Sequence, residues 1–138
     1  MSRIVFLLTV LALSASCSTA ASAAQGRFLR SEGSKLFVFV HGFNTSSADT
    51  WTNKNNGTNV FWPDLLVRDK VFQDFAIYIY DYASSLGEGS PTIQGIAADL
   101  ATDLEANAQL ESYQHVYFLA HSMGGLVTLT CSPFCPRL

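Results

Sequence analysis

Three short runs along the chain are apolar almost throughout, and polar turns and one long stripe lie between them. Residues 36–40 read LFVFV, residues 75–82 read FAIYIYDY and residues 115–120 read HVYFLA. Runs of this length without alternation, rich in β-branched and aromatic residues, fit strands covered on both faces, as in a parallel sheet between helix layers. Ahead of the third run, Ile93, Ile96, Ala97, Leu100, Leu104 and Ala108 recur every three or four positions, while Gln94, Asp99, Asp103 and Glu105 fill the other side. That spacing predicts an amphipathic helix, with Ser90 as its cap and Pro91 in its first turn. A shorter helix is predicted in FWPDLLVRDKVF, residues 61–72, starting near Pro63. TNKNNGTN (52–59) and ASSLGEGS (83–90) read as loops. The order strand, helix, strand, helix, strand, turn, helix start predicts an α/β fold of βαβ units around a parallel sheet.

The N-terminus follows a different pattern. Arg3 precedes an apolar run from Ile4 to Leu13, and small residues follow as far as Ala21-Ser22-Ala23 and Ala24. This is the layout of a secretory signal peptide, with cleavage expected after Ala23 or Ala24. The apolar run is about half the roughly 20 residues a membrane span requires. An exported protein is therefore expected, secreted or periplasmic. LSASC, ending at Cys17, partly matches a lipoprotein cleavage box, and lipidation there is the alternative that would bring membrane association. The expected organisation is a signal peptide over 1–24, a linker over 25–35, a partial catalytic-type domain over 36–130 and an irregular tail over 131–138.

Composition narrows the function classes. The eight Lys and Arg are scattered along a chain of net charge -3, so no basic patch exists to neutralise phosphates, and a nucleic-acid partner is not expected. Cys131 and Cys135 stand in CSPFC, a spacing that is neither a metal pair nor a C-x-x-C redox motif. They read as incidental thiols, although export would permit a disulfide.

The candidate chemistry lies at Ala120-His121-Ser122-Met123-Gly124-Gly125, directly after the third predicted strand. A serine between small residues at a strand-to-helix turn is the context of the G-x-S-x-G elbow, where the turn is sharp and larger neighbours would collide. Ala120 replaces the first glycine. Acyl transfer also needs donors for the oxygen that becomes negative. In this architecture one is the amide of the residue after the nucleophile, here Met123, and the other comes from the loop after an early strand. His41-Gly42-Phe43 follows the first predicted strand and offers the Phe43 amide, with Gly42 letting the backbone approach closely.

VFVHGFN, FWPDLL, YIYDYAS and VYFLAHSMGGLV, in that order, resemble the α/β-hydrolase superfamily, and most closely its lipase-like serine esterase branch. The resemblance covers residues 36 to about 127. It implies a three-layer α/β/α fold around a parallel sheet lacking its C-terminal strands, and hydrolysis of a carboxylic ester or lipid-like small molecule through an acyl-enzyme on Ser122. Phe43 and Met123 would form the oxyanion hole, with His41, Gly42, His121, Gly124 and Gly125 supporting the motif. No metal or organic cofactor is implied. His41 and His121 read as structural, His115 as an ordinary strand residue, and Asp81 as a loop cap. Trp51 and Trp62 read as packing residues. The family order is serine, then Asp or Glu, then His, and residues 123–138 contain no Asp, Glu or His. A truncated or frame-shifted copy of a longer enzyme is the expectation, which leaves the activity of this chain by itself open. A non-catalytic exported protein of the same fold, binding lipid or a partner, is the alternative.

Overall fold

The computed structural model describes residues 25–85 and 89–132. The expected signal peptide with Cys17, and the tail residues Pro133, Cys135 and Pro136, lie outside the described residues. In chain order the elements are β1 (Gln25–Arg30), β2 (Lys35–Val40), α1 (Ser47–Trp51), β3 (Thr52–Asn53), β4 (Val60–Phe61), α2 (Pro63–Arg68), β5 (Phe75–Asp81), α3 (Ile93–Ala106), β6 (His115–Ala120) and α4 (Met123–Cys131). One sheet has the order β1-β5-β2-β6, and β3 and β4 form a separate two-stranded ribbon. No helix among the described residues is long and apolar enough to cross a membrane.

The three expected strands pair in parallel, β2 with β5 and β2 with β6. Successive side chains of a strand alternate between the two faces, and both faces are covered. Leu36, Val38 and Val40 of β2 and Ala76, Tyr78 and Tyr80 of β5 join Ile96, Leu100 and Leu104 of α3 and Val127 of α4 in one core. Phe39, Ile77 and Ile79 pack on the other face with Trp51, and Trp62, Leu66 and Val67 close over them. A sheet buried on both sides explains why these strands read as unbroken apolar runs. The result is three layers, with α3 and α4 on one face and α1 and α2 on the other.

The first strand corrects two expectations. Residues 25–30 fall within the expected linker, yet they form β1, which runs antiparallel to β5 with a register irregularity between Phe28 and Arg30, so the sheet is mixed. Only Phe28 and Leu29 mark the segment as apolar, because an edge strand needs few buried side chains. What fastens it is polar. The Arg30 guanidinium donates to the carbonyls of Val67 at 2.8 Å and Phe75 at 2.7 and 2.9 Å, and also to that of Phe72.

At the other end of β1, the Gly26 N–H donates to Asp103 Oδ1 at 3.2 Å. Asp103 also accepts from the Tyr78 hydroxyl at 2.6 Å and from Asn107 Nδ2 at 2.8 Å. Asp103, expected on the polar side of α3, is therefore buried at 7% exposure. The helix itself is capped two residues later than expected. Thr92, adjacent to the first stripe residue, accepts from the Gly95 N–H at 3.1 Å, while the Ser90 hydroxyl donates to the Ser85 carbonyl.

Smaller departures have local causes. Asp69 takes an extended backbone and accepts from the Val71 N–H, so the segment expected as one helix over 61–72 divides into α2 and a 3-10 turn at Lys70–Phe72. Such a side-chain bond to the local backbone competes with helix continuation. Cys131, expected in the irregular tail, is the last residue of α4 and is buried. The five-residue α1, capped by Ser46 accepting from the Asp49 N–H, is too short to show a periodicity.

Replacing Asp103 with Ala leaves the Tyr78 hydroxyl and the Gly26 amide without their acceptor, and a destabilisation of about 2–3 kcal/mol is expected. Asp99→Ala, on the exposed side of the same helix, should stay within about 0.5 kcal/mol. Urea midpoints of the two variants make the comparison, and equal midpoints would contradict it.

Candidate functional site

The parallel register determines where the motifs meet. Val40 of β2 lies beside Ala120 of β6 and, on its other side, beside Tyr80 of β5. Three chains therefore leave the sheet level with one another, as the His41–Gly42 loop, the Asp81–Tyr82 segment and the His121–Ser122 turn. The His121 N–H donates to the Val40 carbonyl at 3.0 Å, which extends the ladder one residue beyond β6.

Ser122 occupies φ 52 and ψ -121. Backbone in such a sparsely populated region costs of order 1–3 kcal/mol and persists only where its surroundings impose it. Here the turn is held by the Gly124 N–H donating to the His121 carbonyl at 2.9 Å and the Gly125 N–H donating to the Ser122 carbonyl at 3.0 Å. The serine is exposed at the point where β6 becomes α4. The two glycines that follow are not equivalent. A Cβ on Gly124 would run into the carbonyl oxygens of Val40 and His41, whereas one on Gly125 meets nothing within 4 Å. Gly124 is required by the close approach of α4 to the end of β2, and Gly125 is not required by space.

Gly42 lies against the serine turn. A Cβ there would stand 2.7 Å from His121 Nδ1 and 3.1 Å from Ser122 Cβ. The two motifs, 80 positions apart in sequence, are thus in contact. Phe43 follows with 42% exposure. Among the described residues, neither the Phe43 nor the Met123 N–H has a protein acceptor.

His41 is fully buried. Its Nε2 accepts the Tyr82 N–H at 3.2 Å, so the proton sits on Nδ1, which donates to the Gly42 carbonyl at 2.9 Å. The Tyr82 hydroxyl donates to the His41 carbonyl at 2.8 Å, and the two rings stack at 4.2 Å. Desolvation holds the His41 pKa below the usual histidine value, against the opposing pull of Asp81, whose Oδ1 is 3.6 Å from Nε2. His41 is therefore a neutral brace for the loop. Asp81 Oδ1 accepts the Ser47 N–H at 2.8 Å, which ties the start of α1 to the end of β5.

His121 is exposed, and its ring faces Trp51 edge-to-face at 6.4 Å. Trp51 packs in the same way on Phe39 at 5.3 Å and Trp62 at 5.5 Å. Among the described residues the buried Trp51 indole N–H has no partner. His115 opens β6, at the far end of that strand from Ser122. Among the described residues no group of His, Cys, Asp or Glu is gathered to hold a metal.

Two contributors were not singled out from sequence. Tyr82 was read as a strand residue, but it leaves the ladder to clamp His41. Ser84 secures the loop after Phe43, its carbonyl accepting the Asn44 N–H at 3.0 Å and its hydroxyl the Thr45 N–H at 3.3 Å. Asn44 itself sits at φ 51. Asparagine is among the few residues that tolerate this region, so the Asn that closes HGFN was an available signal for the tight turn.

The description alpha/beta hydrolase family belongs to a family model that matches residues 37–137, well over half of the chain. No curated protein matches. No solved structure matches either.

Gly124→Ala should destabilise the chain by about 2 kcal/mol or more through overpacking against β2. Gly125→Ala should be neutral or stabilising by up to about 1 kcal/mol, since Ala favours helix. Thermal melts of both variants report this, and a Gly124→Ala protein as stable as the parent would contradict the close approach. A second expectation concerns pH. The folded state holds the His41 pKa below its unfolded value near 6.5, so below that pH the unfolded chain binds a proton that the folded chain resists. Stability is then constant above about pH 6.5 and falls as pH drops from there toward the lower folded value. His41→Asn should flatten this slope between about pH 6.5 and 5, measured by urea unfolding, and an unchanged slope would place its origin elsewhere.

Proposed function

The chain belongs to the alpha/beta hydrolase family, and on that premise we propose that it is a serine hydrolase acting on carboxylic ester bonds through an acyl-enzyme on Ser122. The observation that carries this reading is the Ser122 backbone at φ 52 and ψ -121, on an exposed turn between a buried strand and a helix. Strain of that kind is retained where it aims a side chain.

The Ser122 oxygen attacks the ester carbonyl carbon and the hydroxyl proton passes to a general base. The carbonyl oxygen, now negative, takes hydrogen bonds from the Phe43 and Met123 amides, which among the described residues have no protein acceptor to give up. Collapse breaks the bond to the alcohol oxygen, which leaves with the proton. Water then attacks the acyl-serine, releasing the acid and restoring the hydroxyl. His41 is not the base, because both its ring nitrogens are committed inside the fold.

A second reading, binding of an ester or lipid-like molecule without turnover, is favoured by one observation. Among the described residues no histidine nitrogen is hydrogen-bonded to the Ser122 hydroxyl. A fluorophosphonate probe separates the two readings, since serine displaces its fluoride only when a base activates the oxygen. The first reading expects labelling at Ser122 that Ser122→Ala reduces to background. A folded parent protein that takes no label would decide for the second.

A further inference from the structure

The leader-like pattern at the N-terminus has no part in the hydrolytic steps, and the fold meets it at a definite border. Ser22-Ala23-Ala24 is an A-x-A-like run, with a cut expected on its carboxyl side. β1 opens at the next residue, Gln25. Of the two expected cuts, the one after Ala24 therefore coincides with the start of the sheet. Gly26 is then anchored in the interior. Its N–H donates to Asp103 Oδ1 at 3.2 Å, and a Cβ there would run into the Tyr78 hydroxyl and the Asp103 carboxylate. A cut after Ala24 leaves that anchor whole, whereas a cut after Gly26 would remove it.

Cleavage after Ala24 makes Gln25 the first residue and frees its α-amine. Gln25 is exposed, and among the described residues nothing holds its side-chain amide. It forms the last pair of the β1–β5 ladder, opposite Asp81, and terminal pairs open at little cost. Its carboxyl side is fixed through Gly26, while its amine and side chain stay free to meet.

The two groups belong to one residue, so their reaction needs no encounter with a second molecule. The neutral amine attacks the side-chain amide carbon, and the new nitrogen–carbon bond closes a lactam ring. The bond from that carbon to the side-chain nitrogen breaks. That nitrogen leaves as ammonia, carrying the proton the amine gives up. No oxidant, reductant or co-reactant takes part. An α-amino group titrates at about pH 8, so near neutrality a usable share is in the reactive form.

We propose that Gln25 is a modification site: bared by cleavage after Ala24, it closes to a pyroglutamyl lactam, and the mature domain begins on a neutral ring instead of an ammonium. Nothing in this requires Ser122 to be reactive. The ring carries no free amine, so exopeptidases that grip one cannot trim β1. That strand supplies the Gly26 amide to the buried Asp103, and its Arg30 ties it to α2 and β5.

The test expresses the full chain in a cell that exports proteins by a cleavable leader and recovers it from the exported fraction. Tandem mass spectrometry of the N-terminal peptide reads the cut and the ring together. A peptide that begins at Gln25 and is lighter than its open form by one ammonia is expected, and the lighter share should rise on incubation at about pH 8. The Gln25→Ser chain should be cut at the same bond, keep its full mass and react with an amine-directed succinimidyl ester. Aminopeptidase should shorten Gln25→Ser and leave the closed parent intact. A parent cut after Ala23, one found only with residues 1–24 in place, one bearing a lipid on Cys17, or one whose Gln25 keeps its full mass after incubation would overturn the site. A Gln25→Ser peptide that loses the same mass would place the loss at another residue and overturn it as well.

Discussion

The site depends on the pairing of β2 between β5 and β6 with their ends level. Because Val40 lies beside both Tyr80 and Ala120, the loop, the clamp and the serine turn emerge together at one rim. A shift of one residue would turn the side chains of a strand to its other face. Here both faces are filled by large side chains, Phe39 and Ile79 toward one and Val40 and Tyr80 toward the other, so the register is firmly specified. The packing that stabilises the sheet is thus what brings Gly42 against Ser122.

Contact at the rim is also the reason for the small residues there. Main chain from β2, its following loop and the first turn of α4 converge, and Gly42 and Gly124 leave the room that a side chain would fill. On the β5 side the same convergence is polar. The buried His41 ring satisfies the Tyr82 amide and the Gly42 carbonyl at once. A buried ring with both nitrogens bonded avoids the cost of an orphaned polar atom. Strain at Ser122 and Asn44 is tolerated because these bonds surround it.

Much of this was readable from sequence, and the parts that were not share a cause. Strands 36–40, 75–82 and 115–120 were legible because burial on both faces leaves an unbroken apolar run. The serine turn and the HG loop were legible because steric crowding restricts their residue types. β1 was not, since an edge strand held by Arg30 and by the Gly26 amide leaves hardly any hydrophobic signature. Asp103 was assigned to the wrong side of α3 for a similar reason: periodicity sorts residues by polarity, and a buried carboxylate that serves a tyrosine and an amide defeats it. The clamp by Tyr82 depends on a contact across 41 positions, which no local pattern encodes.

The two borders of the sheet differ in what they present to an incoming strand. Along β1 the ladder is irregular between Phe28 and Arg30, and the exposed Arg27 places charge on that border. Such devices discourage further pairing. Along β6 there is no such break, and Tyr117 is 44% exposed. Among the described residues no strand pairs with the outer flank of β6, so its backbone groups on that side are a template for pairing. A strand that paired there would run beside the strand that leads into Ser122.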